Sequence, residues 1–497
     1  MPTLEEIEQL AKRRGFFYPS DEIYGGLGGF YTYGHLGVLM KRKLEDIWRR
    51  HFLDEDNFYE IDPSLIMQSK VFEASGHTNF FVDPIAKCKT CHTVHRADHI
   101  VEENLKGKFE GMTPIELEEM IKKHKIRCSN CGGELEETGV LNLMFPLDIG
   151  SDMKGYLRPE TAQGVYVNFS RQFELLRKRL PIGLAIIGKA FRNEISPRQL
   201  LLRMREFTQA ELQIFFDPEK LSEHEDWENI KDYKLMLLPV TERKKQEVEM
   251  TCDNAVKKLK LPEFYVYYLA KVQKFYLDIL QVPKNRFRFK EFDQEERAFY
   301  NNLQWDAEIK LHNLDDFKEV SGVHYRTDYD LKGHEKISKK AQEIFYDNKK
   351  FIPHVLELSF GIDRILFTLL DLAYSKDKER TFLKIPPAMA PITVSVFPLV
   401  NKEGLDKKAK KLFLMLKEEF SAFYDDDGSI GRRYARADEV GTVASITCDY
   451  QTLEDDSVTI RDRDTKKQIR IKITEITNVL NALLSGKSIE MLGKIVK

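Results

Sequence analysis

Arginine, carboxylate and aromatic side chains converge in Ala190-Phe-Arg-Asn-Glu-Ile-Ser-Pro-Arg-Gln199 and in its continuation, Leu201-Leu-Arg-Met-Arg-Glu-Phe207. Residues two apart on a strand share a face. Arg192 and Glu194 are therefore expected on one face of a strand, with Arg203, Arg205, Glu206 and Phe207 on the chain that returns beside it. Guanidinium groups clamp phosphate oxygens bidentately, a carboxylate accepts from an exocyclic amine, and a phenyl ring stacks on a purine. The pattern suits ATP without a glycine-rich phosphate loop. The glycines of Tyr24-Gly-Gly-Leu-Gly-Gly-Phe-Tyr-Thr-Tyr-Gly-His-Leu-Gly37 read as turn geometry; they lack the strand, helix and downstream acid of a dinucleotide fold.

Three further clusters carry chemistry. Tyr156-Leu-Arg-Pro-Glu-Thr-Ala-Gln-Gly164 holds Arg158, Glu160 and Gln163 in a turn fixed by Pro159. A rigid carboxylate there suits a substrate ammonium, and the competing reading is a helix start capped by Thr161. In His354-Val-Leu-Glu-Leu-Ser-Phe-Gly-Ile-Asp-Arg-Ile-Leu-Phe367, Glu357 and Ser359 share a strand face, and Arg364 lies in the first turn of the following helix. An arginine there adds to the positive helix end and is unfavourable unless an anion is bound. Glu308 and Glu319 are candidates for Mg²⁺ held with ATP phosphates; Glu308 is the better, and an exposed strand carboxylate describes Glu319 nearly as well. Cys88-Lys-Thr-Cys91 and Cys128-Ser-Asn-Cys131, 36 residues apart, have the spacing of a closed four-thiolate structural Zn²⁺ site. Redox chemistry needs only one such pair, and His92, His95 and His99 stand near enough to substitute for a ligand. Cys252 and Cys448 stand alone.

These groups must be positioned by several domains, because 497 residues exceed one hydrophobic core. Helices are expected over Leu4–Arg14, over 38–52, where Met40, Leu44, Ile47 and Trp48 share a face, and over 361–373. Strands are expected at 58–63, 140–145 and 304–311. The stretch 218–286 reads as a charged helical insertion. Pro386-Pro-Ala-Met-Ala-Pro391 is the clearest linker, and strands alternate with helices beyond it, as in a three-layer α/β unit. Arg432, Arg433 and Arg436 on a basic helix there suit a nucleic-acid backbone or a solvated face. Net charge is −3 despite 77 Lys and Arg residues, which neither demands nor excludes a nucleic-acid partner. No apolar run reaches the roughly 18 residues of a membrane span, and the acidic, amphipathic start is unlike a signal peptide. A cytoplasmic protein is expected.

Taken together, the chain resembles class II aminoacyl-tRNA synthetases. The long helix and Pro63 strand resemble motif 1, Phe191-Arg-Asn-Glu194 through Phe207 motif 2, and Gly361-Ile-Asp-Arg364 motif 3. Ser75-Gly-His77, Arg96-Ala-Asp-His99, Arg158-Pro-Glu-Thr-Ala-Gln163 and Arg326-Thr-Asp-Tyr-Asp-Leu331 narrow the likeness to the homodimeric glycyl-tRNA synthetase family, as do Asp426-Asp-Gly-Ser-Ile-Gly-Arg-Arg-Tyr434 and Val458-Thr-Ile-Arg-Asp-Arg-Asp464.

The resemblance implies an α+β protein with a six-stranded antiparallel catalytic sheet. Core segments 1–87, 141–217 and 287–380 would be interrupted by a zinc-ribbon-like insertion at 88–140 and the helical one at 218–286. An anticodon-binding domain would occupy 386–497. It implies ATP, glycine and tRNA(Gly) as substrates, Mg²⁺ with the ATP, and a homodimer. Arg192 would hold the α-phosphate, Glu194 the adenine amine, Phe207 the adenine ring, and Arg203 and Arg364 the outer phosphates. Asn193, Leu202, Met204, Arg205, Glu206, Glu308, Ile309, Gly361, Ile362 and Asp363 complete the implied ATP site. The implied glycine site is Arg96, Glu160, Phe207, Thr208, Gln209, Ala210, Glu211, Glu357, Leu358, Ser359, Phe360 and Gly361. Leu358 stands where the family usually has Pro, and Leu200 where it usually has Gly. A synthetase for another small amino acid and a non-catalytic nucleic-acid-binding relative are the alternatives.

Overall fold

The computed structural model describes residues 2–496 apart from 108, 110, 198, 244–246, 299 and 379; Arg198 of the basic loop lies outside the described residues. Helix α1 (Leu4–Arg14) begins in a Thr3–Glu6 capping box and ends at left-handed Gly15. Helix α2 (His35–Arg49) starts three residues before the sequence expectation and closes in a π-turn over Arg50–Asp54. It buries Met40, Leu44, Ile47 and Trp48, the face read from the periodicity.

The main sheet has nine strands among the described residues: β1 (Tyr59–Glu60), β2 (Ile182–Phe191), β3 (Glu206–Phe216), β4 (Lys234–Leu238), β5 (Val248–Thr251), β6 (Phe287–Glu291), β7 (Leu303–Lys310), β8 (Phe317–Thr327) and β9 (His354–Gly361). Their order is β5-β4-β6-β7-β8-β9-β3-β2-β1. The run from β6 to β2 is antiparallel at every pairing and is the expected six-stranded sheet. Parallel pairing adds β1 beside β2 at one edge and β4 beside β6 at the other, and β5 completes that edge antiparallel to β4.

The purely helical reading of 218–286 is therefore corrected, since this stretch supplies β4 and β5. Its helix α3 (Glu263–Lys274) is buried along most of its length in the main core. Leu235, Met236, Leu237 and Leu238 are all buried, so β4 lacks the alternation that marks a half-exposed strand. Helix α4 (Ile362–Ala373) follows β9 directly and packs on the same core.

The register sets the site. Glu211 on β3 pairs with Ser359 on β9, Ser359 with Gly322 on β8, and Gly322 with Asp306 on β7. The next row runs Gln213, Glu357, His324 and Gln304. Both rows face away from the Leu356, Leu358 and Phe360 side of the sheet, which belongs to the core.

Residues 386–391 are not a loose tether. Pro387–Met389 form one 3-10 turn, and Met389 and Ala390 are buried in the main core because both are small or apolar and lie over α2, where Lys43 Nζ donates to Ala390 O at 2.6 Å. Beyond them a second six-stranded sheet has the order β11-β10-β12-β13-β14-β15, from β10 (Val394–Pro398), β11 (Ala422–Tyr424), β12 (Ala444–Cys448), β13 (Ser457–Asp462), β14 (Gln468–Lys472) and β15 (Ile495–Val496). Helices α5 (Leu405–Leu416) and α7 (Ile476–Leu484) bury their apolar faces with it in a separate core, and α6 (Ile430–Glu439) lies between β11 and β12 in the chain.

Candidate active site

A cleft with a cavity volume of about 180 Å³ opens on the polar face of the main sheet. One end is lined by guanidinium groups. Arg192 lies just past the end of β2, not within it as the sequence suggested, yet its N–H still donates to Arg205 O at 2.8 Å. Its guanidinium carbon is 5.3 Å from the ring centroids of both Phe81 and Phe207, and Nε donates to Pro159 O at 3.0 Å. Arg203 donates to Glu194 Oε2 from Nε at 2.8 Å and Nη2 at 2.6 Å. Arg364 Nε donates to Leu202 O at 3.0 Å, and Nη1 lies 3.3 Å from Glu319 Oε1. Asp363 is buried and accepts from Thr208 N–H and Tyr33 O–H. It orients the start of α4 and is not a surface partner of Arg364.

The other end is acidic and closely braced. Glu211 accepts from Thr161 Oγ1 at 2.6 Å, Ser359 Oγ at 2.8 Å and Gln209 Nε2 at 2.9 Å. Glu160 accepts from Gln163 Nε2 at 2.9 Å and lies 3.4 Å from His77 Nε2. Glu357 accepts from Gln213 Nε2 at 2.8 Å and faces Arg326 Nη1 at 3.3 Å. Arg326 in turn grips Asp330 with two bonds of 2.8 and 2.9 Å. Burial and the neighbouring charges of Glu357 and Glu160 push Glu211 up to about 7. For Glu160 burial acts upward, but His77, Arg326 and the Gln163 amide outweigh it and hold the carboxyl well below its usual range.

The walls include Glu160, Arg192, Glu194, Leu202, Arg203, Met204, Phe207, Thr208, Gln209, Glu211, Glu319, Glu357, Ser359, Gly361, Asp363 and Arg364. Tyr300, His324 and Arg326 also line it and were given no role from the sequence. Carrying the two-residue period along β8 through Gly322, His324 and Arg326 is the signal that finds the last two.

Several expected residues are elsewhere. Ala210, Leu358, Phe360 and Ile309 are buried in the apolar core, because strand alternation turns every second side chain away from the cleft, and Ile362 is buried there from the first turn of α4. Arg96 is tied to Asp98 and Asp83. Arg205 reaches back to Glu194 O and Gly28 O, and Glu206 pairs with Lys189 on the neighbouring strand. Asn193 is absent from the walls, and its N–H donates to Leu143 O at 2.7 Å. Glu308 is held by Arg288 Nη2 at 2.7 Å and is not among the residues that line the cleft, while Glu319 is on the cleft wall beside Arg364.

Comparison with known proteins bears on what such a cleft belongs to. The chain is 42% identical to the glycine–tRNA ligase of Thermococcus sibiricus, over 97% of this chain and 99% of that one. It is 38% identical to that of Methanocaldococcus jannaschii at the same coverage. The chain belongs to the glycine–tRNA ligase family. Residues 146–372 match the tRNA synthetase class II core domain (G, H, P, S and T), and residues 393–483 match the anticodon binding domain. Glycine–tRNA ligases are class II aminoacyl-tRNA synthetases, so this member is an enzyme. The alignment with the Thermococcus relative runs over 566 positions, more than the 497 residues here; that relative carries internal stretches this chain lacks. At the level of fold alone, the crystal structure of prolyl-tRNA synthetase from Cryptosporidium parvum complexed with halofuginone and AMPPNP is similar, with a TM-score of 0.61 at 14% identity, covering 97% of this chain and 77% of that one.

Two features of this family member lie outside the cleft. Cys88, Cys91, Cys128 and Cys131 bring their sulfurs within 4.8 Å of one another, with Cys88–Cys131 at 3.5 Å and Cys91–Cys128 at 3.6 Å. A tetrahedron of sulfurs about 2.3 Å from a central ion has edges of about 3.8 Å, so the four thiols suit one metal ion. His95 Nε2 is 3.2 Å from Cys128 Sγ, outside the group of four. On α6, Arg433 is buried and donates to Pro398 O and Gly428 O. Its place as a nucleic-acid contact is corrected, because its apolar-facing side of α6 turns it inward to close carbonyls. Arg436 pairs with Asp425 at 2.7 Å, and Arg432 is exposed.

Proposed function

We propose that this chain activates glycine with ATP and transfers the glycyl group to the 3′ end of tRNA(Gly). The observation that carries the reading is one cleft with three arginines at one end and three buried or nearly buried carboxylates at the other. In the first step a glycine carboxylate oxygen bonds to the α-phosphorus of ATP, and the bond from that phosphorus to the pyrophosphate oxygen breaks. In the second a terminal tRNA hydroxyl attacks the glycyl carbonyl carbon, and AMP leaves. Arg192 holds the α-phosphate, Arg203 and Arg364 the outer phosphates, and Phe207 the adenine ring. Glu194, already gripped by Arg203, accepts from the adenine amine. No covalent enzyme intermediate is needed; positioning and charge stabilisation carry the rate.

Glu160, Glu211 and Glu357 take the substrate ammonium. Glycine offers no side chain to grip, so alanine is rejected by crowding about one methyl group. Mg²⁺ bound through the nucleotide would find Glu319 and would neutralise phosphate charge there; Glu308, committed to Arg288, would not take part. The four cysteines hold a structural Zn²⁺. The domain at 386–497 reads the anticodon, with Arg432 and Arg436 toward the RNA backbone. Tyr59, Leu65 and Ile66, all exposed near the β1 edge, support a homodimer through that edge. No helix among the described residues is long and apolar enough to cross a membrane, in keeping with a cytoplasmic enzyme.

Amino-acid-dependent ATP–pyrophosphate exchange with glycine, alanine and serine tests the reading. Glycine alone is expected to support it. Arg192→Ala is expected to lower exchange by 10²-fold or more, on the order of 3 kcal/mol of transition-state stabilisation, with tRNA binding kept. Wild-type exchange in that variant would remove the assignment. A non-catalytic relative is disfavoured because Arg192, Arg203 and Arg364 all reach the cleft.

A further inference from the structure

Gly322 and His324 stand two apart on β8, and the role of neither follows from the reaction as described. A Cβ built on Gly322 would lie 2.3 Å from His324 Nε2 and 2.6 Å from Cε1. The imidazole is thus folded back over Gly322. Gly322 lies between Ser359 and Asp306 in the sheet, so the ring fills the slot between those two side chains. Only glycine at 322 leaves room for it.

The ring is fixed at both nitrogens. Nδ1 is 2.8 Å from Glu357 Oε1, and Nε2 is 3.3 Å from Asp306 Oδ1. Two carboxylates from different strands therefore face the two nitrogens, the arrangement an imidazolium satisfies with both N–H groups. Burial opposes the charge, but the hydrogen bonds and charges of Asp306 and Glu357 raise His324 to about 10. The bond to Glu357 is shorter than either contact from Arg326 to that carboxylate, both 3.3 Å. Gln213 and His324 are thus the close partners that aim Glu357.

We propose that His324 is a positioning and specificity residue for the α-amino acid substrate: its ring plugs the cleft floor over Gly322 beside Ser359 and holds Glu357 toward the substrate ammonium. The inference rests on the reading that the acidic end of the cleft takes glycine. A thinner side chain at 324 leaves a hollow beside Ser359 of the size that a methyl or hydroxymethyl group requires, and it frees Glu357 to turn.

The test is pyrophosphate exchange by the full chain with glycine, alanine and serine, with glycine and ATP each titrated. His324→Ala is expected to raise the glycine KM at least about tenfold while the ATP KM stays within about twofold. It is also expected to lower the glycine-to-alanine ratio of kcat/KM at least about tenfold, within the range one methyl group commands. His324→Gln keeps a donor toward Glu357 and is expected to recover most of the glycine KM. Gly322→Ala displaces the ring and is expected to raise the glycine KM selectively, yet to add nothing in the His324→Ala background. These last two variants carry the test if His324→Ala does not fold. Equal losses in the glycine and ATP terms with an unchanged amino-acid ratio, or additive effects in the double variant, would overturn the proposal. Failure of the wild-type chain to exchange with glycine would instead overturn the functional reading on which it rests.

Discussion

Glu211 shows how one side chain links the fold to the chemistry. Burial first, then the charges of Glu357 and Glu160, raise its carboxyl from 4.5 to about 7. A raised carboxyl favours the protonated folded state, so its contribution to stability is full below the unfolded value and is lost as pH rises through about 7. An arriving ammonium reverses that preference. Glycine binding is expected to release close to one proton at about pH 6 and almost none at about pH 8.5. Calorimetry in two buffers of different ionisation enthalpy measures this, and identical heats at the lower pH would exclude Glu211 as the ammonium partner. At this scale the sequence was readable where side-chain chemistry marked the residue, as at Arg192 and Arg203, and where strand period did, as at Glu357 and Ser359. It was not readable where a charge is spoken for by a distant residue. Nothing near Glu308 announces Arg288, twenty positions earlier and one strand away, and nothing near Arg433 announces that it turns inward.

Elements explain the glycines and the cysteines. A Cβ on Gly37 would lie 1.9 Å from Phe16 O, so the start of α2 rests directly on the chain leaving α1. Gly37→Ala is expected to cost about 1–3 kcal/mol, seen as a lower denaturant midpoint with an unchanged slope. An unchanged midpoint would show that the contact relaxes freely. Leu200 adopts φ 55°, a left-handed conformation that costs an L-residue about 1–2 kcal/mol. Its side chain is buried in the main core, which offsets that strain and anchors the turn leading to Arg203. Metal analysis is expected to find one zinc per chain, falling to none in Cys128→Ser, with faster amide exchange confined to 82–142. Full zinc in that variant would remove the four-sulfur assignment. Helix α1 was legible to the residue because its cap, stripe and Gly15 all agree. Strand β4 was not, because an apolar run buried on both faces has no period to read.

Across the whole molecule, a few charged residues tie the C-terminal domain to the rest. Asp438 on α6 is buried; it holds Arg461 with two bonds of 2.9 and 3.0 Å and also pairs with Arg380. Arg463 donates to Ile385 O and Gly441 O at 2.9 and 3.0 Å. Asp438→Ala leaves two arginines without this partner and is expected to destabilise by about 3–5 kcal/mol, read as a lowered unfolding midpoint for the C-terminal domain. A loss below about 1 kcal/mol would place these charges among solvent-screened pairs. Chain length implied several domains and the proline-rich stretch implied a joint, but neither indicated that the joint is itself packed, since that depends on what lies over it. Ile385, Met389 and Ala390 are all fully enclosed. The spacing between the two ends of the enzyme is thus set when the chain folds and acts as a ruler. An RNA required to reach both ends at once would have to present its own two ends at that one separation.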